Sequence, residues 1–233
     1  MSGIRIQPTR STIEYRAGKL PVLEISLGGT PRGVVVLVCD ETDSSDGVVE
    51  WMNRFAEHGY ETLAATVPWD CSFPLLDTVF FRTEGRGWTA EQTGLVGWGS
   101  GGRVVLDAAT RLSFGAAVSM SASLRDGSCT SSDEFEGGVA TPWLGLFGTE
   151  DPEAPERLVT GLRSALDRGA DVHTEVVRYP GVGADFYRQG NDGVGYAAWY
   201  DGWQRTVEWL EARIAPRLTP FAQQWRQREV VRA

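Results

Sequence analysis

The sequence predicts an α/β fold in which helices cover both faces of a mostly parallel central sheet. Strand-like and helix-like segments alternate along the 233 residues, as they do in βαβ crossovers. Residues 33–39 form a continuous apolar, β-branched run, which is typical of a strand buried on both faces. The length and the 42% hydrophobic content suit one core. We therefore expect a single domain over residues 1–233, with residues 215–233 as a C-terminal extension.

The first half of the chain contains signals for three strands and a helix around that buried run. Residues 12–17 and 20–27 alternate between polar and apolar, which predicts two edge strands. A helix should run from a capping serine at position 44 or 45 to His58 and stop at Gly59. The next predicted strand, residues 60–67, ends at a proline. The apolar residues that recur at helical spacing within the helix are Val48, Trp51, Met52 and Phe55.

The second half continues the alternation of strands and helices. The polar segment 123–138 predicts a loop, and the short, aromatic-rich segment 69–93 is expected to form the wall of a pocket. The last predicted helix is long and amphipathic. The predicted strands are residues 93–98, 116–122, 142–147 and 171–179, and the predicted helices are residues 101–112, 155–168 and 196–214.

Composition argues against several classes of partner. The net charge of −9 disfavours nucleic acid and anionic membranes, which bind positive surfaces. No signal-peptide pattern or membrane-spanning run is visible, and three cysteines without a CxxC pair favour a reduced, cytoplasmic setting. Dinucleotide, phosphate-loop and metal-ligand patterns are missing as well. We expect a monomer or homodimer that binds a small molecule and needs no cofactor.

The segment LVGWGSGGR, residues 95–103, resembles the nucleophile elbow that joins a strand to a helix in α/β-hydrolases. Gly97 and Gly101 occupy the flanking positions, where the sharp turn needs small residues, and Gly99 occupies the nucleophile position. In a shifted register Ser100 would be the nucleophile, but a tryptophan would then stand at a flanking position. In the favoured register the backbone N–H of Ser100 contributes to an oxyanion hole.

Two further motifs resemble loops of the dienelactone hydrolase family. LGLFGTEDP, residues 144–152, is similar to the loop that bears the catalytic acid, and it places Asp151 at the acid position. YPGVGADFYR, residues 179–188, is similar to the histidine loop, with Ala184 at the histidine position. The resemblance covers residues 20–214. It implies the α/β-hydrolase fold, a three-layer α/β/α sandwich.

The resemblance also implies roles for residues near the elbow. Asp40 ends a strand where the family places a carboxylate, and we expect it to act as an acid or a base. The backbone N–H of Glu41 is the second expected oxyanion donor. Arg188 falls near the arginine that binds the substrate carboxylate, and Arg82 is a second candidate for that role. Asp43 is expected to be a solvated loop acid. The other residues expected at the pocket are Trp69, Trp88, Trp98 and Asp185.

The missing nucleophile and histidine argue against hydrolysis by the usual route, which needs a base beside the nucleophile. The chain contains only two histidines, and we expect His58 at a helix end and His173 at a strand start to be structural. Asp151 then has no histidine to orient, so it is either catalytic in another way or a loop-stabilising carboxylate.

Three functional hypotheses remain open. The first is a non-hydrolytic enzyme of cyclase, isomerase or lyase type that acts on a small hydrophobic metabolite, with or without a carboxylate. The second is a catalytically silent relative that binds a small molecule or a protein partner. The third is an atypical hydrolase whose nucleophile is Ser100, Cys39 or Cys71.

Overall fold

A central sheet of eight strands organises the computed structural model. The structure describes residues 5–15, 18–39, 43, 45–67, 72–125, 138–188, 193–219, 221–222 and 224–225. The strands are β1 (Thr9–Tyr15), β2 (Gly18–Ile25), β3 (Gly33–Cys39), β4 (Tyr60–Thr66), β5 (Thr93–Trp98), β6 (Ala116–Met120), β7 (Trp143–Gly148) and β8 (Thr174–Tyr179). They lie side by side in the order β1-β2-β4-β3-β5-β6-β7-β8.

Six of these strands, β3 to β8, run parallel to one another, which confirms the predicted mostly parallel sheet. The hairpin of β1 and β2 adds an antiparallel edge. Every residue of β3 is buried, as its continuous apolar run predicted. Because parallel strands end at the same edge, the loops after β3, β5, β7 and β8 lie together at one end of the sheet.

Helices cover both faces of the sheet. The helices are α1 (Ser45–Glu57), α2 (Ser72–Gly85), α3 (Ser100–Arg111), α4 (Glu156–Gly169) and α5 (Gly193–Arg213). One face carries α1 and α5, whose Phe55 and Trp203 belong to one buried cluster. The other face carries α2, α3 and α4, whose Leu76, Val105 and Leu162 belong to a second cluster. Each such side chain contributes roughly 1.5–3 kcal/mol on burial, so the two clusters fix the predicted three-layer sandwich.

The helix α2 is the element that the sequence interpretation missed. Its buried residues Leu75, Leu76 and Val79 recur at helical spacing. The exposed Phe81 adds an apolar residue outside that stripe, and 76% of its surface is accessible. Because apolar and aromatic residues lie both inside and outside the buried stripe, the sequence predicts a pocket wall here, whereas the structure has a helix that packs on the sheet. No helix in the part of the chain that the structure describes is long and apolar enough to span a membrane.

Candidate functional site

Gly99 lies at the tip of a sharp turn between β5 and α3. Its φ of 57° and ψ of −125° are a combination that glycine adopts at the lowest cost. The N–H of Gly99 donates to the carbonyl of Met120 at 3.0 Å, and its own carbonyl accepts from the N–H of Arg103 at 3.2 Å. Ser100 is the first residue of α3. The structure therefore places Gly99, rather than Ser100, at the point where the elbow presents a side chain.

The glycines on either side of the tip are required by close backbone packing. A Cβ atom at Gly97 would lie 2.5 Å from the carbonyl oxygen of Gly101. A Cβ atom at Gly101 would lie 2.1 Å from the carbonyl oxygen of Val38. These contacts fit the favoured register, in which positions 97 and 101 flank the tip. The role of the backbone N–H of Ser100 as an oxyanion donor stays a prediction.

The loops that follow β7 and β8 are bonded to each other beside the elbow. The N–H of Glu150 donates to the carbonyl of Val182, and the N–H of Gly181 donates to Oγ1 of Thr149, both at 2.9 Å. Gly148 permits this approach, since a Cβ atom there would lie 2.2 Å from the carbonyl oxygen of Val182. The acid loop and the histidine loop of the resembled family thus meet at the edge where β5 ends.

Asp151 is a buried carboxyl group, with only 2% of the residue exposed. Its Oδ1 accepts a hydrogen bond from the N–H of Glu153 at 2.9 Å, which is a local bond within the loop. Its Oδ2 has no hydrogen-bond partner among the residues described. Burial raises the pKa of Asp151 above its ordinary value. Ala184 begins the short 3-10 helix Ala184–Tyr187, and its methyl side chain supplies no donor for that oxygen.

Asp43 joins the connection between β3 and α1 to the loop that follows β8. Its Oδ1 lies 3.3 Å from Nη2 of Arg188, and its Oδ2 accepts a hydrogen bond from Nε1 of Trp98. Only 9% of the Asp43 side chain is exposed, against 52% of the Arg188 side chain. The expectation of a solvated loop acid is therefore wrong. An indole N–H that is buried needs an acceptor, and Asp43 supplies it.

Trp98 lies in the core rather than on a pocket surface. Its ring stacks on Tyr187 at 5.7 Å and on Trp51 at 5.3 Å between centroids. Because 1% of Trp98 is exposed, the prediction that it contacts a ligand is wrong. Burial raises the pKa of Tyr187 to about 12, and its hydroxyl lies 3.4 Å from Nη2 of Arg188. The sequence interpretation missed Tyr187, although it directly precedes Arg188 in the histidine-like loop.

Trp88 lies away from the elbow, so its assignment to the pocket is also wrong, whereas Arg82 pairs with Glu24 of β2 and its role toward a substrate carboxylate stays a prediction. Nε and Nη2 of Arg82 donate to Glu24 at 2.9 and 3.0 Å, and these bonds lower the pKa of Glu24. Trp88 is 2% exposed, and its Nε1 donates to Glu61 at 2.9 Å. Glu61 lies near the start of β4, whereas the elbow follows the end of β5. These two points are at opposite ends of parallel strands.

Of the remaining predicted residues, Asp185 lies at the rim of the site with 76% of its side chain exposed, 3.6 Å from Nε of Arg188. Asp40, Glu41, Trp69 and Cys71 lie outside the described residues, so their roles stay predictions. Arg188 therefore contacts two carboxylates of its own chain, and its role toward a substrate carboxylate also stays a prediction.

Both histidines lie at the amino-terminal ends of the parallel strands, opposite the end that carries the elbow. Nδ1 of His58, just after α1, is 3.7 Å from Oε1 of Glu211, and its ring packs edge-on against Trp203. His173 lies just before β8, and its ring is 5.1 Å from that of Trp209. Because α1 ends and β8 begins at that far edge, neither imidazole stands beside Gly99. Their placement agrees with structural roles.

The elbow, the acid loop and the histidine-like loop all lie within a segment that matches a known family. The profile of the family described as "Dienelactone hydrolase family" matches residues 76–214, which is more than half of the chain. The chain belongs to the dienelactone hydrolase family.

Two curated relatives are similar to this dienelactone hydrolase family member. A protein of Salmonella typhimurium named "Putative carboxymethylenebutenolidase" is 34% identical over 153 residues, which cover 64% of this chain and 56% of that protein. A protein of the same name from Escherichia coli K12 is 31% identical over 154 residues, again 64% and 56%. The matched segment is thus little more than half of the length of these relatives.

Solved structures share the fold at lower identity. The "Putative Dienelactone Hydrolase" of Klebsiella pneumoniae superimposes with a TM-score of 0.74 and 22% identity, covering 88% of this chain and 98% of that one. Esterase 2 of Thermogutta terrifontis, phosphoramylated by tabun, superimposes with a TM-score of 0.70 and 14% identity, covering 90% and 96%. These likenesses support the α/β-hydrolase fold over nearly the whole chain.

Proposed function

We propose that this dienelactone hydrolase family member is a non-hydrolytic enzyme of cyclase, isomerase or lyase type. Its substrate would be a small hydrophobic metabolite, with or without a carboxylate. The observation that carries the proposal is Gly99 at the tip of the elbow. Such an elbow keeps its strained turn and its flanking glycines but presents no side chain that could form an acyl intermediate.

The chemistry that such an elbow supports is proton transfer next to a carbonyl group. The N–H of Ser100 would bind the carbonyl oxygen and stabilise the enolate that forms when a carbon-bound proton leaves, and each such donor contributes ~3 kcal/mol. Asp40 would accept that proton and return it to another carbon of the same molecule. No water is consumed, and the product is an isomer of the substrate.

A second candidate function is binding without turnover. The ion pair between Arg188 and Asp43 favours it, because the guanidinium that the resemblance assigns to the substrate carboxylate already has a carboxylate partner. A ligand that entered in front of the elbow would have to compete with Asp43.

The test is an NMR experiment with an unsaturated γ-lactone, α-angelica lactone, in D₂O. We expect wild type to catalyse deuterium incorporation or double-bond migration without opening the ring. The rate should fall at least ~10²-fold in Asp40→Asn and remain within a few-fold in Ser100→Ala, since only the backbone of Ser100 is used. Heat-denatured protein is the blank.

Three outcomes would count against the proposal. Ring opening as the main reaction, with covalent labelling of Ser100 by a fluorophosphonate or of Cys39 by iodoacetamide, would establish an atypical hydrolase. Saturable binding of the lactone without exchange or ring opening would establish the silent binder. Exchange that survives Asp40→Asn would remove the assigned proton acceptor.

A further inference from the structure

A cavity of about 280 Å³ lies between the β1–β2 hairpin and the first turn of α1. Its volume is close to the lower end of the ~300–1,000 Å³ typical of small-molecule sites. The residues that matter for its chemistry are Arg10, Leu23, Cys39, Asp43, Val48 and Ala64. We propose that this cavity binds a small carboxylate with an apolar body, and that Arg10, rather than Arg188, binds the carboxylate group.

The strand register places the side chains of Arg10, Leu23 and Ala64 on one face of the sheet. Arg10 of β1 pairs with Leu23 of β2, and Leu23 pairs with Ala64 of β4. Side chains directly opposite each other in antiparallel strands point to the same side, here the side covered by α1. Val48 of α1 closes the cavity from above, and the buried Cys39 closes it at the end of β3. The floor and the roof are therefore apolar.

The charges around the cavity favour an anion at its hairpin side. Arg10 is exposed, and within the described part of the chain its guanidinium makes no hydrogen bond or ion pair. Asp43, which also lines the cavity, has its charge balanced by Arg188 and by the indole N–H of Trp98. The guanidinium of Arg10 therefore remains available to a ligand, and it suits bidentate binding of a carboxylate.

A smaller cavity of about 120 Å³ continues from the first one along the hairpin. The two cavities share Arg10, Leu23 and Ser45, so Arg10 stands between them. A ligand of the proposed kind would place its apolar body over Leu23 and Ala64 and its carboxylate at Arg10. Asp43 would then connect the ligand site with Trp98, which directly precedes the elbow tip.

This inference takes the class of ligand from the proposed function, so its test measures binding and not turnover. The probe is hexanoate, compared with the neutral hexanamide of the same shape, by isothermal titration calorimetry and ligand-observed NMR. We expect wild type to bind hexanoate at least tenfold more tightly than hexanamide. Arg10→Gln should lose that preference, whereas Arg188→Gln combined with Asp43→Asn, which removes both charges of that ion pair, should keep it. Arg10 lies on an exposed edge strand, so an unchanged Tm shows that the variant is folded.

Ala64→Leu tests the cavity itself, because the added side chain fills the apolar floor. We expect it to abolish binding of both probes while circular dichroism stays unchanged. Protection of Cys39 from iodoacetamide by hexanoate, resolved from the other cysteines by peptide mapping, is an independent readout. Loss of the preference in the Asp43→Asn, Arg188→Gln double variant but not in Arg10→Gln would overturn the proposal, as would the absence of saturable hexanoate binding to wild type. A protein that binds hexanoate at Arg10 but shows no deuterium exchange would refute only the proposed function.

Discussion

The guanidinium of Arg188 lies 3.3 Å from the carboxylate of Asp43 and so joins the loop after β8 to the connection that leads into α1. The same carboxylate accepts the indole N–H of Trp98, which stacks on Tyr187 and Trp51. The edge of the sheet beside Gly99 is thus held together by an ion pair on top of an aromatic stack.

The first prediction concerns the contribution of Asp43 to the stability of the fold. Asp43→Ala should destabilise the fold by about 1–3 kcal/mol, because the buried indole N–H of Trp98 loses its acceptor. Urea unfolding followed by tryptophan fluorescence measures the change. Asp185→Ala is the matched control, since Asp185 is an exposed partner of the same guanidinium and should cost less than about 1 kcal/mol. Equal losses in the two variants would contradict the role assigned to Asp43.

The second prediction is that hydrolysis can be restored at the elbow. Gly99→Ser combined with Ala184→His should raise the hydrolysis of 4-nitrophenyl acetate by at least ~10² over wild type, because the serine regains a base. Asp151 would accept the Nδ1–H of the new histidine with its Oδ2. The measurement is the initial rate of nitrophenolate release.

Each single variant serves as a control for that gain and should stay near the wild-type rate. Adding Asp151→Asn to the double variant should remove most of it, since the imidazole then lacks its orienting carboxylate. A double variant that is folded but no more active than Gly99→Ser alone would show that positions 99 and 184 do not face each other.

The sequence was informative where local chemistry determines the structure. The sequence predicts strands at residues 33–39 and 93–98 with the observed bounds, because their runs are continuous and end at clear turns. The elbow register followed from the need for small residues at positions 97 and 101, which the backbone contacts confirm.

Ion pairs and hydrogen bonds between side chains that are distant in the sequence could not be predicted from it. Asp43 and Arg188 are 145 positions apart, and nothing local indicates that a loop acid will be buried beneath an arginine. The sequence predicts a pocket position for Arg82 and Trp88 because they lie in the aromatic-rich segment 69–93, but their partners Glu24 and Glu61 lie on strands whose neighbours only the fold defines. Buried polar side chains are matched in space, so such errors concentrate among them.

The third prediction separates strain from steric clash in the elbow. Gly101→Ala should destabilise the protein by more than about 3 kcal/mol, because its Cβ would lie 2.1 Å from the carbonyl oxygen of Val38. Gly99→Ala should cost only about 1–3 kcal/mol, which is the conformational cost of its backbone angles for a residue with a Cβ. Thermal unfolding by circular dichroism compares them. Gly85→Ala, with open space around the new methyl group, is the control and should be nearly neutral or stabilising.

The fourth prediction follows from the buried carboxyl of Asp151. Its pKa is higher in the folded than in the unfolded chain, so the folded state binds more protons and stability falls as pH rises from about 4 through the folded pKa. Above that pKa the buried charge is a constant cost. Asp151→Asn removes the charge but keeps an oxygen that accepts the N–H of Glu153.

Asp151→Asn should therefore be more stable than wild type at pH 7 by on the order of 1 kcal/mol. The advantage should shrink as pH falls below the folded pKa, where wild type is neutral at this position as well. Chemical unfolding at a series of pH values from 4 to 8 measures the difference between the two proteins. Glu150→Gln, at an exposed position of the same loop, is the control for removing a carboxylate from this loop without touching the buried one. An Asp151→Asn variant less stable than wild type at every pH would mean that the carboxylate forms a stabilising contact and that its burial is not the dominant effect.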